Sequence, residues 1–242
     1  MRILITNDDG IQAPGLLPLA QWAQRLGEVT VLAPKVEQSG KSHGIEIHKS
    51  FEVKKVDFAP GIEAYSVDST PADCVRIAIL GMKKEFDLVI SGINRGLNIG
   101  QDTIYSGTVG AIFEANALRV PAAVAFSTSP AYYGQAISHM DDIWAYICRH
   151  QLLEKGSLYN INIPDDPVGF RITRQGGPYY SDQFAAQEND MMMPCGIDVF
   201  RSSNTQDLDT DAVLVHHLIS ISPLTLDRTN LALYAQLQSL NN

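Results

Sequence analysis

Cysteine is scarce in this sequence, and long apolar runs are missing. Cys74, Cys148 and Cys195 are the only cysteines among 242 residues, and they form no CxxC pair. A scattered, odd set of cysteines predicts neither a disulfide framework nor a zinc ribbon. No apolar run is long enough to cross a bilayer, and Met1 leads into a predicted strand rather than a signal peptide. We therefore expect a soluble, cytoplasmic protein of a reducing compartment without a membrane partner.

Basic residues are also in short supply. The sequence has 18 Lys and Arg residues against 27 Asp and Glu residues, which gives a formal net charge of −9. This balance argues against a protein that coats nucleic acid. It leaves room for an anionic small substrate, because a bound metal ion reverses the sign of the local charge. Hydrophobic residues make up 45% of the chain, which is enough for a sizeable core.

Several common site motifs are absent. Neither G-x-G-x-x-G nor G-x-x-x-x-G-K-[ST] follows the first predicted strand, so NAD or ATP held in the usual way is not expected. The six histidines form neither H-x-H nor H-E-x-x-H. Candidate metal ligands are therefore oxygen atoms, which favour Mg²⁺, Mn²⁺ or Ca²⁺ over zinc.

The most informative stretch is the first ten residues, MRILITNDDG. Arg2–Thr6 is short, apolar and rich in β-branched residues, which predicts a buried strand that stops at Asn7-Asp8-Asp9-Gly10. Two adjacent carboxylates at the carboxyl end of a strand repel each other, and a hard divalent cation would relieve that repulsion. The alternative is a turn in which Asp8 or Asp9 caps the next helix. These ten residues alone leave both interpretations open.

The segments that follow predict an α/β protein. Gly15–Leu26 has helical spacing and ends at Gly27, and Val29–Ala33 is a second strand. This β-α-β opening implies parallel strands joined by a right-handed crossover, as in a Rossmann-like core. Thr70 and Pro71 have the form of a helix N-cap and first helical residue. Further strands are predicted at Asp87–Ser91, Pro121–Ser127 and Leu158–Ile163.

Two more polar loops follow predicted strands. Gln38-Ser39-Gly40 can offer a hydroxyl oxygen and N–H groups to a ligand, although such a turn is also common in ordinary loops. After Asp87–Ser91 comes a loop rich in glycine and asparagine, and a helix begins at Ser106-Gly107-Thr108. Free N–H groups at a helix start bind anions, and a simple Ser N-cap is the alternative. Because three strand ends meet on one rim, we favour phosphate binding here.

Composition changes from about Gly176 onward. Residues 176–206 lack helical periodicity, yet they carry Tyr179, Tyr180, Phe184, Met191–Met193 and Phe200. Such a stretch is too long for an ordinary loop, so it is disordered, a lid, or an arm that packs on another subunit. We expect a single domain with a core at about 1–175, the arm at about 176–206, and a C-terminal strand and helix at about 207–242.

The same motifs support a family resemblance that runs almost the whole length of the chain. They lie at Ile3–Gly10, Ala33–Gly40, Ser69–Ala78 and Ser91–Ala111, with a weaker echo at Tyr159–Pro164. Together they resemble the SurE family of survival-protein nucleotidases. The resemblance implies a metal-dependent phosphomonoesterase that acts on nucleoside monophosphates as a 5'/3'-nucleotidase. It also implies a Rossmann-like three-layer core with a mostly parallel sheet, and an arm and tail helix that form a homodimer or homotetramer.

The resemblance further implies roles for individual residues. Family metal ligands carry over onto Asp8, Asp9, Ser39 and Asn94, which would hold one Mg²⁺ or Mn²⁺ per subunit. Phosphate contacts carry over onto Ser106, Gly107 and Thr108, and Asn94 is a further candidate. We expect Asp8 or Asp9 to act catalytically by orienting or deprotonating a water molecule. The segment KSHGIEIHKS at residues 41–50 departs from the family pattern. A non-catalytic sensor of nucleotides or phosphate and a structural assembly protein are the rival hypotheses.

Overall fold

A nine-stranded sheet forms the centre of the molecule. The structure is a computed structural model and describes residues 1–241. The strands are β1 (Arg2–Thr6), β2 (Glu28–Pro34), β3 (Val53–Ala59), β4 (Ile62–Val67), β5 (Leu88–Arg95), β6 (Ala122–Thr128), β7 (Leu158–Ile163), β8 (Gly169–Ile172), β9 (Tyr180–Ala186), β10 (Met192–Asp198) and β11 (Leu218–Pro223). The α-helices are α1 (Leu16–Ala23), α2 (Pro71–Arg76), α3 (Gly107–Ala117), α4 (Met140–Arg149), α5 (Leu152–Lys155), α6 (Asp209–Leu214) and α7 (Leu231–Leu237).

The strand order of the main sheet is β3-β4-β2-β1-β5-β6-β7-β11-β8. All neighbouring pairs from β4 through β7 are parallel. The two ends of the sheet differ, because β3 pairs antiparallel with β4 and β11 pairs antiparallel with β7. The sequence prediction of an α/β fold with a mostly parallel sheet is therefore confirmed.

Helices cover both faces of the sheet because side chains alternate along each strand. Ile3 and Ile5 of β1 belong to a core cluster that also contains residues of α1 and α4. Leu4, which points the other way, belongs to a second cluster that contains residues of α2 and α3. Both clusters are buried, and burial of apolar surface is the main force that holds such layers together. The result is the expected three-layer arrangement.

The topology sets the position of the candidate site. From β1 the chain moves through α1 to β2 on one side, and β5 later joins the other side of β1. The strand order therefore reverses at β1, and loops that leave β1 and β5 at their carboxyl ends separate to opposite faces. In open α/β sheets the crevice at such a switch point is where ligands bind. Asp8 and Asp9 follow β1 directly, and Asn94 lies near the end of β5.

One local prediction needs adjustment, and another is confirmed. The strand expected at Asp87–Ser91 continues to Arg95, because Asn94 and Arg95 pair with Ser127 and Thr128 of β6 beyond an irregularity in the register. Asn94 is therefore on a strand rather than in the loop that the glycine-rich sequence suggested. The predicted start of α2 is confirmed, since the Thr70 side chain accepts a hydrogen bond from the Asp73 N–H at 3.1 Å.

The segment without helical periodicity forms a β-hairpin. β9 and β10 pair only with each other, as a separate two-stranded sheet. Five large apolar side chains of this hairpin are about half exposed or more: Tyr180 46%, Phe184 63%, Met192 58%, Met193 48% and Ile197 50%. The helix α7 has no buried residue. None of the helices in residues 1–241 is long and apolar enough to span a membrane.

Candidate active site

The turn after β1 is shaped by the buried side chain of Asn7. The Asn7 side-chain amide donates to the Gly10 carbonyl at 2.9 Å, and the Gly10 N–H donates to the Asn7 side-chain oxygen at 3.1 Å. Gly10 adopts a φ of +101°, which favours glycine. The loop after β2 docks on this turn, because the Gln38 N–H donates to the Asp8 carbonyl at 2.7 Å. These contacts hold the NDDG turn, which carries Asp8 and Asp9, at the switch point.

The Asp8 carboxylate is buried against the first turn of α3. Only 3% of Asp8 is exposed. The Thr108 N–H donates to Asp8 Oδ2 at 3.2 Å, and the Thr108 hydroxyl donates to Asp8 Oδ1. Burial, with a smaller contribution from the neighbouring Asp9 charge, raises the pKa of Asp8 to about 6 despite these bonds. The two hydrogen bonds from Thr108 therefore do not fully offset the cost of burying the charged Asp8 carboxylate.

Asp9 occupies the same rim but is more open. The Arg95 backbone N–H donates to Asp9 Oδ2 at 3.1 Å, which joins the end of β5 to the turn after β1. Burial raises the pKa of Asp9, and the charge of Glu37 adds to that effect. Among residues 1–241 neither Asp8 nor Asp9 forms a salt bridge with a Lys, Arg or His side chain. The site therefore holds two carboxylates whose pKa values are raised by burial and which have no salt-bridge partner within residues 1–241.

Neither carboxylate caps the next helix, which was the alternative interpretation of the NDDG turn. The N-cap of α1 is Gly15, and no side chain makes a capping hydrogen bond there. Asp8 instead accepts the Thr108 N–H in the first turn of α3, whose N-cap is Ser106. The helix dipole contributes a partial positive charge at that end of α3 and stabilises an anion there.

Ser39 shares a surface depression with Asp9, and Asn94 directly precedes Arg95, whose N–H binds Asp9. Ser39 lines a surface depression of about 670 Å³ together with Asp9, Glu37, Arg95 and Tyr133, which we call the Asp9 depression. The Ser39 hydroxyl donates to Glu37 Oε1 at 2.6 Å. The Asn94 side-chain N–H donates to the Gly96 carbonyl at 2.8 Å. Because the amide nitrogen of Asn94 has this partner, its side-chain oxygen is the atom left to meet a ligand.

The helix start at Ser106-Gly107-Thr108 is partly engaged within the protein. The Ser106 hydroxyl accepts the Val109 N–H at 3.1 Å, as an N-cap does, and Thr108 donates to Asp8. A Cβ on Gly107 would lie 3.0 Å from the Asp8 Cβ, so glycine allows the close approach of α3 to the turn. A phosphate at this helix start would therefore meet the acidic pair directly.

The donor set at the rim fits a hard divalent cation. The described residues contain no group of three or more His, Cys, Asp and Glu side chains that could hold a metal by themselves. Asp8, Asp9, Ser39 and Asn94 supply carboxylate, hydroxyl and amide oxygens, which are the ligands that Mg²⁺ and Mn²⁺ prefer. Burial raises the pKa of both aspartates, so a cation bound beside them would stabilise their charged forms.

The loop that carries Ser39 is anchored to α2 and α3 by contacts that the sequence did not reveal. His43 Nε2 lies 2.7 Å from Glu114 Oε2, and Arg76 Nη1 lies 2.9 Å from Glu114 Oε1. The Ser42 N–H donates to the Tyr105 carbonyl at 2.9 Å. Gly110 of α3 passes so close that a Cβ there would lie 2.3 Å from the Ser42 carbonyl oxygen. His43 lies in the segment at residues 41–50 that departs from the family pattern. That departure was the only sign in the sequence that this segment makes unusual contacts.

The comparisons with known proteins agree on one family. Residues 3–182 match the family model described as Survival protein SurE. The chain is 39% identical to the 5'-nucleotidase SurE of Carboxydothermus hydrogenoformans, covering 95% of this chain and 92% of that protein. It is 36% identical to the 5'-nucleotidase SurE of Legionella pneumophila, covering 100% and 98%. The crystal structure of the Sure protein from Aquifex aeolicus matches with a TM-score of 0.80 and 29% identity, covering 100% of both chains.

The Glu114 cluster gives the first prediction. Burial raises the pKa of Glu114, but the bonds from His43 and Arg76 outweigh it and hold the pKa below its usual value of 4.5. A lowered folded-state pKa means that the stabilisation is present above about pH 4.5 and is lost as pH falls through the lower, folded pKa. The Glu114→Gln variant should be less stable than the parent by about 1–3 kcal/mol near neutral pH. That difference should shrink as the pH falls below 4.5 and through the lowered pKa of Glu114.

Urea unfolding of the parent and the variant at several pH values measures this difference. Glu154→Gln is the control, because Glu154 is exposed and makes no salt bridge within residues 1–241. A stability difference between parent and Glu114→Gln that stays constant from neutral to acidic pH would contradict the role assigned to the Glu114 carboxylate.

Proposed function

Because this chain belongs to the survival protein SurE family, we propose that it is a metal-dependent 5'-nucleotidase that converts nucleoside monophosphates to nucleoside and phosphate. Relatives at 33–39% identity over nearly the full chain are named 5'-nucleotidase SurE, which supports an enzyme of the phosphomonoesterase class. We extend the proposal to 3'-monophosphates, because the residues proposed to act at the rim would contact the phosphate group and not the sugar. The observation that carries the proposal is the acidic pair at the switch point, in which Asp8 is buried, Asp9 is partly exposed, and neither forms a salt bridge within residues 1–241.

We assign the metal ligands to Asp8, Asp9, Ser39 and Asn94, with one Mg²⁺ or Mn²⁺ per subunit. The four side chains come from three loops and strand ends that converge on one rim, and all four offer oxygen atoms. A cation bound there would polarise a phosphoryl oxygen and lower the pKa of a water molecule. The support for this assignment is the chemistry of the donor set and the destabilised charge of the two aspartates.

The remaining steps fall to residues of the chain itself. Asp9 is the more open carboxylate, so it is the better placed of the two to orient an attacking water or accept its proton. Thr108 holds the Asp8 carboxylate in place through its N–H and hydroxyl groups. The Ser106 hydroxyl and the dipole of α3 stabilise negative charge that develops on the phosphoryl oxygens. We favour direct attack by water over a covalent aspartyl-phosphate, since the D-x-D spacing typical of that chemistry is absent.

The second prediction concerns the acidic pair. Asp9→Asn should reduce turnover of nucleoside monophosphates and of p-nitrophenyl phosphate by on the order of a hundredfold or more, because it removes a metal ligand and the group that orients water. The fold should persist, since an asparagine oxygen can still accept the Arg95 N–H. EDTA should silence the parent enzyme, and Mn²⁺ or Mg²⁺ should restore it.

The control for Asp9→Asn is Glu85→Gln, which removes an exposed carboxylate that pairs with Arg2 at the opposite end of β1. Full activity of Asp9→Asn, with metal still required, would refute the ligand assignment. If the parent binds nucleoside monophosphates but turns over none of them with any divalent metal, the sensor hypothesis replaces the enzyme hypothesis.

We also propose that the active form is a homodimer or homotetramer built from one domain per chain. The hairpin β9–β10 stands apart from the main sheet and leaves Phe184, Met192 and Met193 about half exposed or more. So much apolar surface on a two-stranded sheet is typical of a contact with another chain. In this proposal the core at about 1–175 binds substrate, while the arm at about 176–206 and the strand and helix at about 207–242 serve assembly.

The third prediction tests this assembly. The Tyr179 carbonyl accepts the Val199 N–H at 3.1 Å, so the base of the hairpin is closed and can be joined by a two-residue Asn-Gly turn. Replacing residues 180–198 by that turn should yield a folded monomer, whereas the intact chain should be a dimer or tetramer. Light scattering at micromolar concentration measures both masses. An intact chain that is monomeric there would contradict the proposal.

A further inference from the structure

The Asp9 depression contains two side chains that the mechanism above leaves without a role. Its volume of about 670 Å³ lies within the range of pockets that hold a small ligand. Asp9 and Glu37 give the depression an acidic side. Two of the proposed metal ligands, Asp9 and Ser39, lie on that side. Arg95 and Tyr133 line the same depression. A phosphomonoester bound at the acidic pair would extend into this space.

Arg95 is placed beside the acidic pair by the backbone. Its N–H donates to Asp9 Oδ2, and the residue is the last of β5. It is the only basic residue among the described residues that line the depression. Its guanidinium forms no salt bridge with a carboxylate in residues 1–241, whereas several other arginines do. An exposed, unpaired guanidinium fork next to a phosphate site is suited to bind phosphoryl oxygens in bidentate fashion.

Tyr133 is held so that its hydroxyl proton remains available. The Gly15 N–H donates to the Tyr133 oxygen at 2.9 Å. A Cβ on residue 15 would lie 2.6 Å from that oxygen, so a larger residue there would displace the Tyr133 hydroxyl. Among the described residues no acceptor is found for the hydroxyl proton of Tyr133. Burial raises the pKa of Tyr133, and the charge of Asp9 adds to that effect, so the phenol keeps its proton at neutral pH.

We propose that Arg95 and Tyr133 are substrate-binding residues that hold the phosphoryl group of a nucleoside monophosphate from the Asp9 depression. Arg95 binds non-bridging oxygens through its guanidinium, and Tyr133 donates its hydroxyl proton to a phosphoryl oxygen. This inference rests on the proposed phosphomonoesterase function. Arg95 supplies positive charge and Tyr133 supplies a neutral hydrogen-bond donor. Both would reduce the repulsion between a phosphate dianion and the two aspartates.

The test compares Arg95→Gln, Arg95→Lys and Tyr133→Phe with the parent enzyme. Arg95→Gln should raise KM about tenfold or more for p-nitrophenyl phosphate and for every nucleoside monophosphate, whatever its base. The inhibition constant of inorganic phosphate should rise by a similar factor. Arg95→Lys should recover part of the loss, because it keeps the charge but not the fork. Tyr133→Phe should raise both constants about fivefold.

A second readout does not depend on turnover. Inorganic phosphate should raise the melting temperature of the metal-loaded parent, since a ligand that binds the folded state stabilises it. This rise should be smaller in Arg95→Gln and Tyr133→Phe. Arg149→Gln and Tyr146→Phe are the matched controls, since Arg149 and Tyr146 lie on α4 and their side chains make no hydrogen bond or ion pair within residues 1–241.

The outcomes separate this inference from the function on which it rests. A parent enzyme that hydrolyses no phosphomonoester would refute the proposed function. An active parent whose Arg95 and Tyr133 variants match the controls in KM, phosphate inhibition and phosphate-induced stabilisation would refute only the inference. A defect that depends on the base would also overturn it, because it would place these residues at the nucleoside and not at the phosphate.

Discussion

The burial of the Asp8 carboxylate against the first turn of α3 is the contact on which the rest of the site depends. A carboxylate with 3% exposure is costly to place in a protein unless hydrogen bonds or a positive charge stabilise it. Thr108 supplies two hydrogen bonds, and the helix dipole adds a partial charge. These do not remove the cost completely, because burial still raises the pKa of Asp8 to about 6. A cation bound at the rim would lower that cost, with Asp9 as the second carboxylate of the proposed site.

The fold brings these groups together through its strand order and through small residues at close approaches. β1 is flanked by the parallel strands β2 and β5, so the loops that follow these three strands all begin on the same edge of the sheet as Asp8. Gly107 lets α3 reach the Asp8 side chain, and Gly110 lets the same helix touch the loop that carries Ser39. The buried clusters on both faces of the sheet keep α1 and α3 in fixed positions. Rigid layers thus support a site that is built from loop residues and from the ends of β5 and α3.

Local patterns in the sequence predicted the elements well, because they depend on nearby residues. The short apolar run before Asn7, the helix that begins at Ser106 and the Thr70 N-cap all appear in the structure as expected. The pairing of Asp8 with Thr108 could not be predicted, since it joins residues 100 positions apart whose contact follows from the strand order. The same holds for Tyr133 and Gly15, and for Glu114 and His43. Asn94 was placed in a loop because glycine and asparagine favour turns, but pairing with β6 kept it on the strand.

Anomalous scattering from crystals soaked with Mn²⁺ locates the cation without reference to activity. One strong anomalous peak per subunit is expected among the side-chain oxygens of Asp8, Asp9, Ser39 and Asn94. This peak should disappear in crystals of Asp9→Asn grown and soaked in the same way. A peak held by other residues, or no peak at this rim under conditions in which the enzyme is active, would contradict the ligand assignment.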